Sequence, residues 1–539
     1  MMDHLVRKSG RRSISILASS LSLMGILLLQ SLGSALAEPT PPVSIEQGQV
    51  VGKMSGAIAS YLGIPYAAPP VGPNRWRPPQ PGENWTGVRA ATSYGAACNQ
   101  LPVQPSVPYS KEYVTPGPFS EDCLFLNVWT SGAMNKKRPV FVWIHGGGFT
   151  NGSGSLAMFD GAALASKGTV VVTINYRLGP FGYLAHPGLS AEDPHHSSGT
   201  YGLQDQIAAL KWVQRNIAQF GGDPGNVTVG GESAGAISTN GLILSPLAAG
   251  LFRRAVVISG SGMGFPAPTL HEAEQTGLAV AASLGARDVA ELRAVPADKL
   301  LAATPWIPEE PPATPKFTYW PVVDGWVLPS DPDIGLSHPR SPVPMMTGFN
   351  ADENFLVSVK TVADFQKYVS GWFGSHADRV LALYPHETDA QATASARILA
   401  RDRYMTSLLL WVSARNGNSK QKIYQYIYDH PAPTFTGPNL GSFHSAGLPY
   451  FFGNLDPTIR PFGPDDQRVS DQVQGYLLAF IATGNPNGPG RLDWPVAKDS
   501  SSRVMALGLK PGLREAVSSP ARFEALRAYV ADGGRLCLF

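Results

Sequence analysis

No sign of charge dominates this sequence. Its 539 residues carry 42 Lys and Arg against 40 Asp and Glu, a formal net charge of +2. Without a basic excess or a long basic run, neither nucleic acid nor an anionic membrane surface is an expected partner. A membrane-spanning run is missing too. Ile14 to Leu29 is largely apolar but short and broken by serines, against the ~20 apolar residues a helix needs to cross a bilayer. No cysteine precedes Cys98, which excludes a lipid-modified N-terminal cysteine. His-Glu-x-x-His spacing is absent, so neither a metal nor a cofactor is expected, and the adjacent His195-His196 reads as a solvated loop. Length alone suggests about three domains at ~150 residues each. No low-complexity linker and no internal repeat divides the chain, however, so residues 38–539 are expected to form one domain with long insertions.

The first residues read as an address. Arg7, Lys8, Arg11 and Arg12 precede the apolar stretch, and Ala35-Leu36-Ala37 supplies a small-x-small cleavage pattern. A signal peptide over residues 1–37, cut after Ala37, implies a secreted or periplasmic protein. An uncleaved anchor is the alternative, and Arg11-Arg12 is a weak twin-arginine signal. Removing this segment takes away four basic residues and one acid and leaves the chain close to neutral. Only 3 cysteines occur. In an exported protein Cys98 and Cys123, close in sequence, are expected to form a disulfide of roughly 3 kcal/mol in the chain-entropy model. Cys537 is left as an unpaired thiol near a frayed terminus.

What is abundant is glycine, 57 residues, and two glycine motifs organise the chain. Val227 to Val229 reads as a short strand, followed at once by Gly231-Glu232-Ser233-Ala234-Gly235 and a helix of small residues. Gly-x-Ser-x-Gly arises by chance in glycine-rich chains, but strand, sharp turn and helix are the context in which it exposes a nucleophilic serine. Ser233 Oγ would then stand at a helix N-terminus, where developing negative charge is favoured. The second motif, His145-Gly146-Gly147-Gly148-Phe149, follows the apolar strand Val140 to Ile144. Acyl transfer generates an oxyanion that needs unobstructed backbone N–H donors, and a glycine run after a strand offers them. Neither a Gly-x-Gly-x-x-Gly nor a Walker pattern is present there, which argues against phosphate binding.

Further strands fall at Thr169 to Ile174, Ala255 to Ile258, Val343 to Thr347 and Ile423 to Tyr428. Leu203 to Phe220 has the three- and four-residue spacing of a helix. Alternation of strand and helix predicts an α/β fold, a mostly parallel sheet with helices on both faces. Sites in such sheets lie at the carboxyl ends of strands. Helices and Pro-rich loops over about Thr269 to Lys316 would cover the site, with Trp306, Phe317, Tyr319 and Trp320 as pocket or core. Asn99 to Asp122, rich in Pro and Ser, reads as a plain surface loop.

A serine nucleophile needs a base and an acid to orient it. Asp352 and Glu353 follow the strand near Val343, and chemistry alone does not choose between them. His376 and His386 look solvated. His430, closing a strand, and His444, in a small-residue loop, both remain open as the base.

Several stretches together narrow this. Tyr61-Leu62-Gly63-Ile64-Pro65-Tyr66, Arg75-Trp76-Arg77-Pro78-Pro79, Glu121-Asp122-Cys123-Leu124-Phe125-Leu126-Asn127-Val128-Trp129 and both glycine motifs resemble the type-B carboxylesterase family, which includes cholinesterases and some lipases. The resemblance runs from about Gln47 to about Asn487. It implies the α/β-hydrolase fold and a serine hydrolase that cleaves carboxylic esters through an acyl-enzyme. It further implies a triad of Ser233, Glu353 and His444, an oxyanion hole from Gly147, Gly148 and Ala234, and a small-molecule ester as substrate. His145 would order the glycine loop, and Asp352 would stabilise its own. Two positions depart from the family: Asn354 stands where Gly is usual, and Gly447 where an acid is common. A lipase or an amide or carbamate hydrolase on the same triad is the near alternative, and a non-catalytic binding protein on this scaffold the distant one.

Overall fold

The structure is a computed structural model that describes residues 38–132, 136–262, 264, 266–303, 318–332, 342–353, 359–418, 421–435, 439–500 and 503–538. The leader 1–37, residues 304–316 of the expected cover with Trp306, and Phe317 and Asn354 lie outside the described residues.

Among the described residues the main sheet has 11 strands. In chain order they are β1 (Lys53–Ser55), β2 (Ile58–Pro65), β3 (Phe125–Ser131), β4 (Arg138–Ile144), β5 (Val170–Ile174), β6 (Gly222–Glu232), β7 (Arg254–Ile258), β8 (Met345–Asn350), β9 (Ile423–Tyr428), β10 (Val504–Leu507) and β11 (Gly512–Arg514). Their spatial order is 11-10-9-8-7-6-4-5-3-2-1. The run from β10 to β5 is parallel throughout, and antiparallel strands close both edges.

Parallel strands need both faces covered, because their connections lay helices on each side. The side chains of β4 divide accordingly. Val140, Val142 and Ile144 enter one core, while Phe141 and Trp143 enter the other. This is the two-residue alternation of a strand, hidden in sequence because both faces are apolar. Helix α1 (Tyr201–Asn216) covers the first face with Leu203, Ile207, Leu210 and Val213. Helix α2 (Ala234–Leu244) is buried along its whole length. A third helix, α3 (Asp389–Asn418), supports the β8 loop through Tyr404 OH, which donates to Asn350 O at 2.7 Å, and Arg401 Nε, which donates to Ala351 O at 3.0 Å. The last, α4 (Pro464–Thr483), covers the second face with Val469, Val473, Tyr476, Leu477 and Phe480.

The chain runs from β4 out to β5, then returns to place β6 on the other side of β4. The direction of winding reverses there, and sheets of this kind hold their ligands beyond the carboxyl ends of the strands at such a point. Both glycine motifs emerge at that point.

Several expectations need correction. The nucleophile strand runs over Gly222–Glu232, longer than Val227 to Val229, with a register shift after Gly222. The helix expected to reach Phe220 ends at Asn216, and a 3-10 turn carries Ile217–Phe220 into left-handed Gly221 (φ 76°). The strand before the paired acids is Met345–Asn350. The expected bridge between Cys98 and Cys123 is present. Cys537 stays outside that bridge, but its terminus is not frayed. Leu536, Cys537 and Leu538 are buried, and the Cys537 thiol donates to Gly264 O at 3.2 Å.

The stretch between the bridged cysteines is not a plain surface loop. Tyr109 and Tyr113 pack on Phe443, the residue before His444. Glu112, buried, pairs with Arg460 at 2.5 Å. The short separation of the cysteines in sequence gave no hint of this contact with the last third of the chain. His376 and His386 are also less solvated than expected: His376 Nε2 lies 3.1 Å from Asp532, and His386 Nδ1 lies 2.8 Å from Tyr384 O. His195 stacks on Trp326, ring centroids 3.9 Å apart.

Candidate active site

β6 ends at Glu232 and α2 begins at Ala234, leaving Ser233 alone to make the turn. Its backbone lies at φ 55° and ψ −122°, a region that costs a non-glycine residue about 1–3 kcal/mol and persists only when neighbours enforce it. They do so here by excluding side chains on either side. A Cβ on Gly231 would fall 2.2 Å from Gly235 O, and one on Gly235 2.1 Å from Ile144 O. Strand, elbow and helix therefore approach as closely as backbone allows. Ser233 N donates to Ile258 O at 3.0 Å, tying the turn to β7. The serine is half-buried.

The glycine loop after β4 lies against this turn. A Cβ on Gly146 would sit 3.1 Å from Ser233 Cβ and 2.6 Å from a Glu232 carboxylate oxygen. Gly147 (φ 109°), Gly148 (φ 61°) and Phe149 (φ 60°) all have positive φ, and Gly147 O accepts from Thr150 N and Asn151 N. The N–H groups of Gly147, Gly148 and Ala234 have no acceptor among the described residues. His145 orders the loop as expected. It stacks on Tyr176, its Nδ1 donates to Gly146 O at 2.8 Å, and burial pushes its pKa down to about 4, so it is neutral. Trp320 is buried and packs edge-on against Phe149, and Tyr319 is buried beside it in sequence.

β8 delivers the acids. Glu353 is fully buried, and its Oε1 accepts from Asn350 N at 2.6 Å and from the Ser259 hydroxyl at the end of β7. Its Oε2 lies 2.5 Å from His444 Nδ1. Asp352 turns the other way and accepts from Ser442 N at 3.0 Å, pinning the histidine loop. The two adjacent acids thus face different partners, Glu353 the His444 imidazole and Asp352 the backbone of Ser442.

His444 is buried between two carboxylates. Nε2, the nitrogen a serine-activating base presents, is 3.2 Å from Oε1 of Glu232, the residue immediately before Ser233. Burial pushes the imidazole pKa down, but the charges of Glu232 and Glu353 and the hydrogen bond that Nδ1 donates to Glu353 outweigh it and carry it up to about 9. His430 belongs elsewhere. Its Nε2 is 2.7 Å from Asp466 Oδ1, which also accepts from Tyr450 OH at 2.6 Å.

Reading the sequence for the site missed Glu232, Ser259 and Ser445. Glu232 filled the variable position of its motif. Ser259 and Ser445 share one signature, a left-handed φ on a non-glycine residue (53° and 71°), which only coordinates reveal.

A strained serine between strand and helix, a glycine loop whose Gly147 and Gly148 N–H groups meet no acceptor among the described residues, and a buried carboxylate–imidazole pair define a serine hydrolase of the α/β-hydrolase fold. Comparison with known proteins agrees. A profile of the Carboxylesterase family matches residues 39–522, and the chain belongs to that family. It is a carboxylic ester hydrolase. It is 36% identical over 499 residues to fumonisin B1 esterase of Sphingopyxis macrogoltabida, covering 88% of each chain. It is also 36% identical over 487 residues to para-nitrobenzyl esterase of Bacillus subtilis (strain 168), covering 86% of this chain and 94% of that one. A solved PNB esterase structure superposes with a TM-score of 0.74 at 32% identity, covering 90% of this chain and 99% of the other.

Proposed function

We propose that Ser233, His444 and Glu353 are the nucleophile, general base and orienting acid of this esterase. The oxyanion of the tetrahedral intermediate is then held by the N–H groups of Gly147, Gly148 and Ala234. The observation that carries the reading is the His444 Nδ1–Glu353 Oε2 contact of 2.5 Å beside the strained serine turn. For reaction, Nε2 turns from Glu232 Oε1 to Ser233 Oγ and takes its proton as oxygen attacks the ester carbonyl. The imidazolium returns that proton to the departing alcohol, leaving an acyl-enzyme. Water, deprotonated by the same nitrogen, then attacks the acyl carbonyl, and the imidazolium returns the proton to Ser233 Oγ as the acid leaves. Ser233→Ala should lower kcat by ~10⁴ or more while leaving thermal unfolding unchanged. A variant that keeps a tenth of the activity sinks the assignment.

The same reading takes residues 38–539 as a single domain and the protein as exported. In favour of the first, one sheet recruits strands from Lys53 to Arg514. In favour of the second, the leader pattern precedes a bridged cysteine pair, and disulfides persist in oxidising compartments. Among the described residues no helix is long and apolar enough to cross a membrane. N-terminal sequencing of the protein from a host culture tests this, with Glu38 as the expected first residue.

A further inference from the structure

Ser445 follows the base directly and holds its backbone at φ 71°. Glycine takes this conformation freely, whereas a side chain there costs energy. The strained residue is clamped from behind, its carbonyl accepting from Tyr113 OH at 3.2 Å and from Leu448 N at 3.0 Å. What the clamp presents is a hydroxyl. Ser445 Oγ donates to Glu232 Oε1 at 2.5 Å, and that same oxygen faces His444 Nε2 at 3.2 Å. One carboxylate oxygen therefore serves both the base and the residue next to it.

We propose that Ser445 is a positioning residue that makes the base available. Its hydroxyl takes up part of the Glu232 charge so that His444 can give up its proton and turn to Ser233. The inference rests on the triad reading above. While the imidazole is protonated, Glu232 is compensated by a cation. Once the imidazole is neutral, Ser445 is the hydrogen-bond donor left to the buried carboxylate among the described residues. A donor that matters more to the deprotonated state lowers the pH at which the last proton leaves the pair.

Among the described residues, carboxylates and phenols face this pair. His444 meets Glu232 and Glu353. The Glu232 carboxylate is also faced by the phenols of Tyr109, Tyr113, Tyr176 and Tyr426, each pushed up chiefly by burial and so neutral at any working pH. The acid limb of the activity profile then reports the Glu232–His444 pair under the influence of Glu353.

The test is the pH dependence of kcat/KM for Ser445→Ala and Ser445→Gly, each alone and combined with Glu232→Gln. Both single variants should raise the acid-limb pKa by roughly half a unit to one unit, the scale of a charge-assisted hydrogen bond that differs between two protonation states. Glycine relieves the backbone strain and alanine does not, so equal shifts identify the hydroxyl as the cause. On the Glu232→Gln background neither substitution should move the limb. An unchanged limb in the single variants, shifts that differ between alanine and glycine, or shifts that persist without the Glu232 charge would each overturn the inference. Failure of the triad itself reads out separately. Should Ser233→Ala or His444→Ala remain active, the site reading falls; with both inactive and the limb unmoved, only the role of Ser445 does.

Discussion

Glu353 Oε2 and His444 Nδ1 meet at 2.5 Å, although 91 residues separate them in sequence. Glu353 is completely buried, and its other oxygen is fully engaged by Asn350 N and the Ser259 hydroxyl. The carboxylate therefore has one orientation and the neutral imidazole one tautomer, with Nδ1 as donor; Nε2, 3.2 Å from Glu232 Oε1, is left to accept once it has given up its proton.

Replacing that carboxylate by an amide keeps the shape and removes the charge. Glu353→Gln can present an N–H to Nδ1 and stabilise the wrong tautomer. The rate should fall by ~10³–10⁴, as when a triad carboxylate becomes an amide in other serine hydrolases. Substrate affinity should change little. Steady-state kinetics on a simple ester check this, and a loss smaller than tenfold contradicts the orienting role.

Gly235 is the tightest point of the elbow. A Cβ there would lie 2.1 Å from Ile144 O and 2.8 Å from His145 O, both backbone atoms of β4 and its loop. Backbone cannot step aside as a side chain can, so Gly235→Ala should destabilise by about 1–3 kcal/mol through overpacking. It should also displace the glycine loop from Ser233. Activity is expected to fall further than stability accounts for, seen by comparing kcat with denaturant midpoints on one preparation. Gly250→Ala is the control for glycine loss at large. Its Cβ would meet nothing within 4 Å, although φ there is 81°.

Much of this site is legible in sequence because its chemistry is local. The elbow and the glycine loop each need their residue types in consecutive positions, and the parallel strands announce themselves as apolar runs. The Glu232–Ser445 contact spans 213 residues and depends on where two loops end in space, which no spacing encodes. The choice of His444 over His430 was open on the residues alone for the same reason. Both follow β9, and only the fold turns one toward Glu353 and the other toward Asp466. The loop between the cysteines misled for a different reason. Pro- and Ser-rich composition signals irregular backbone, and irregular backbone need not be exposed once aromatics such as Tyr109 and Tyr113 anchor it.

Thiol chemistry separates the three cysteines. Cys98 and Cys123 are bridged, and Cys537 is 1% exposed. An alkylating reagent should label nothing in the native protein, one thiol after denaturation and three after denaturation with reduction. Mass spectrometry of the labelled peptides identifies each. Rapid labelling of Cys537 in the native state contradicts its burial.

The last prediction concerns the base and its pH. A general base accepts a proton only when neutral, so activity must grow as pH rises through the imidazole pKa in the folded enzyme. Burial alone would place that value below the ordinary 6.5. The carboxylates of Glu232 and Glu353 overcome burial and lift it to about 9. The acid limb of kcat/KM should therefore lie above 6.5. Glu232→Gln should bring it down, because one of the two charges favouring imidazolium is gone. His444→Ala should abolish both turnover and labelling of Ser233 by a fluorophosphonate. His430→Ala breaks the 2.7 Å contact with buried Asp466, so it should lower the unfolding temperature while the folded fraction still labels. A limb below 6.5 in the wild-type enzyme would show that the two carboxylates do not govern the base. Loss of labelling in the folded His430 variant, with normal labelling in His444→Ala, would move the base from one loop to the other.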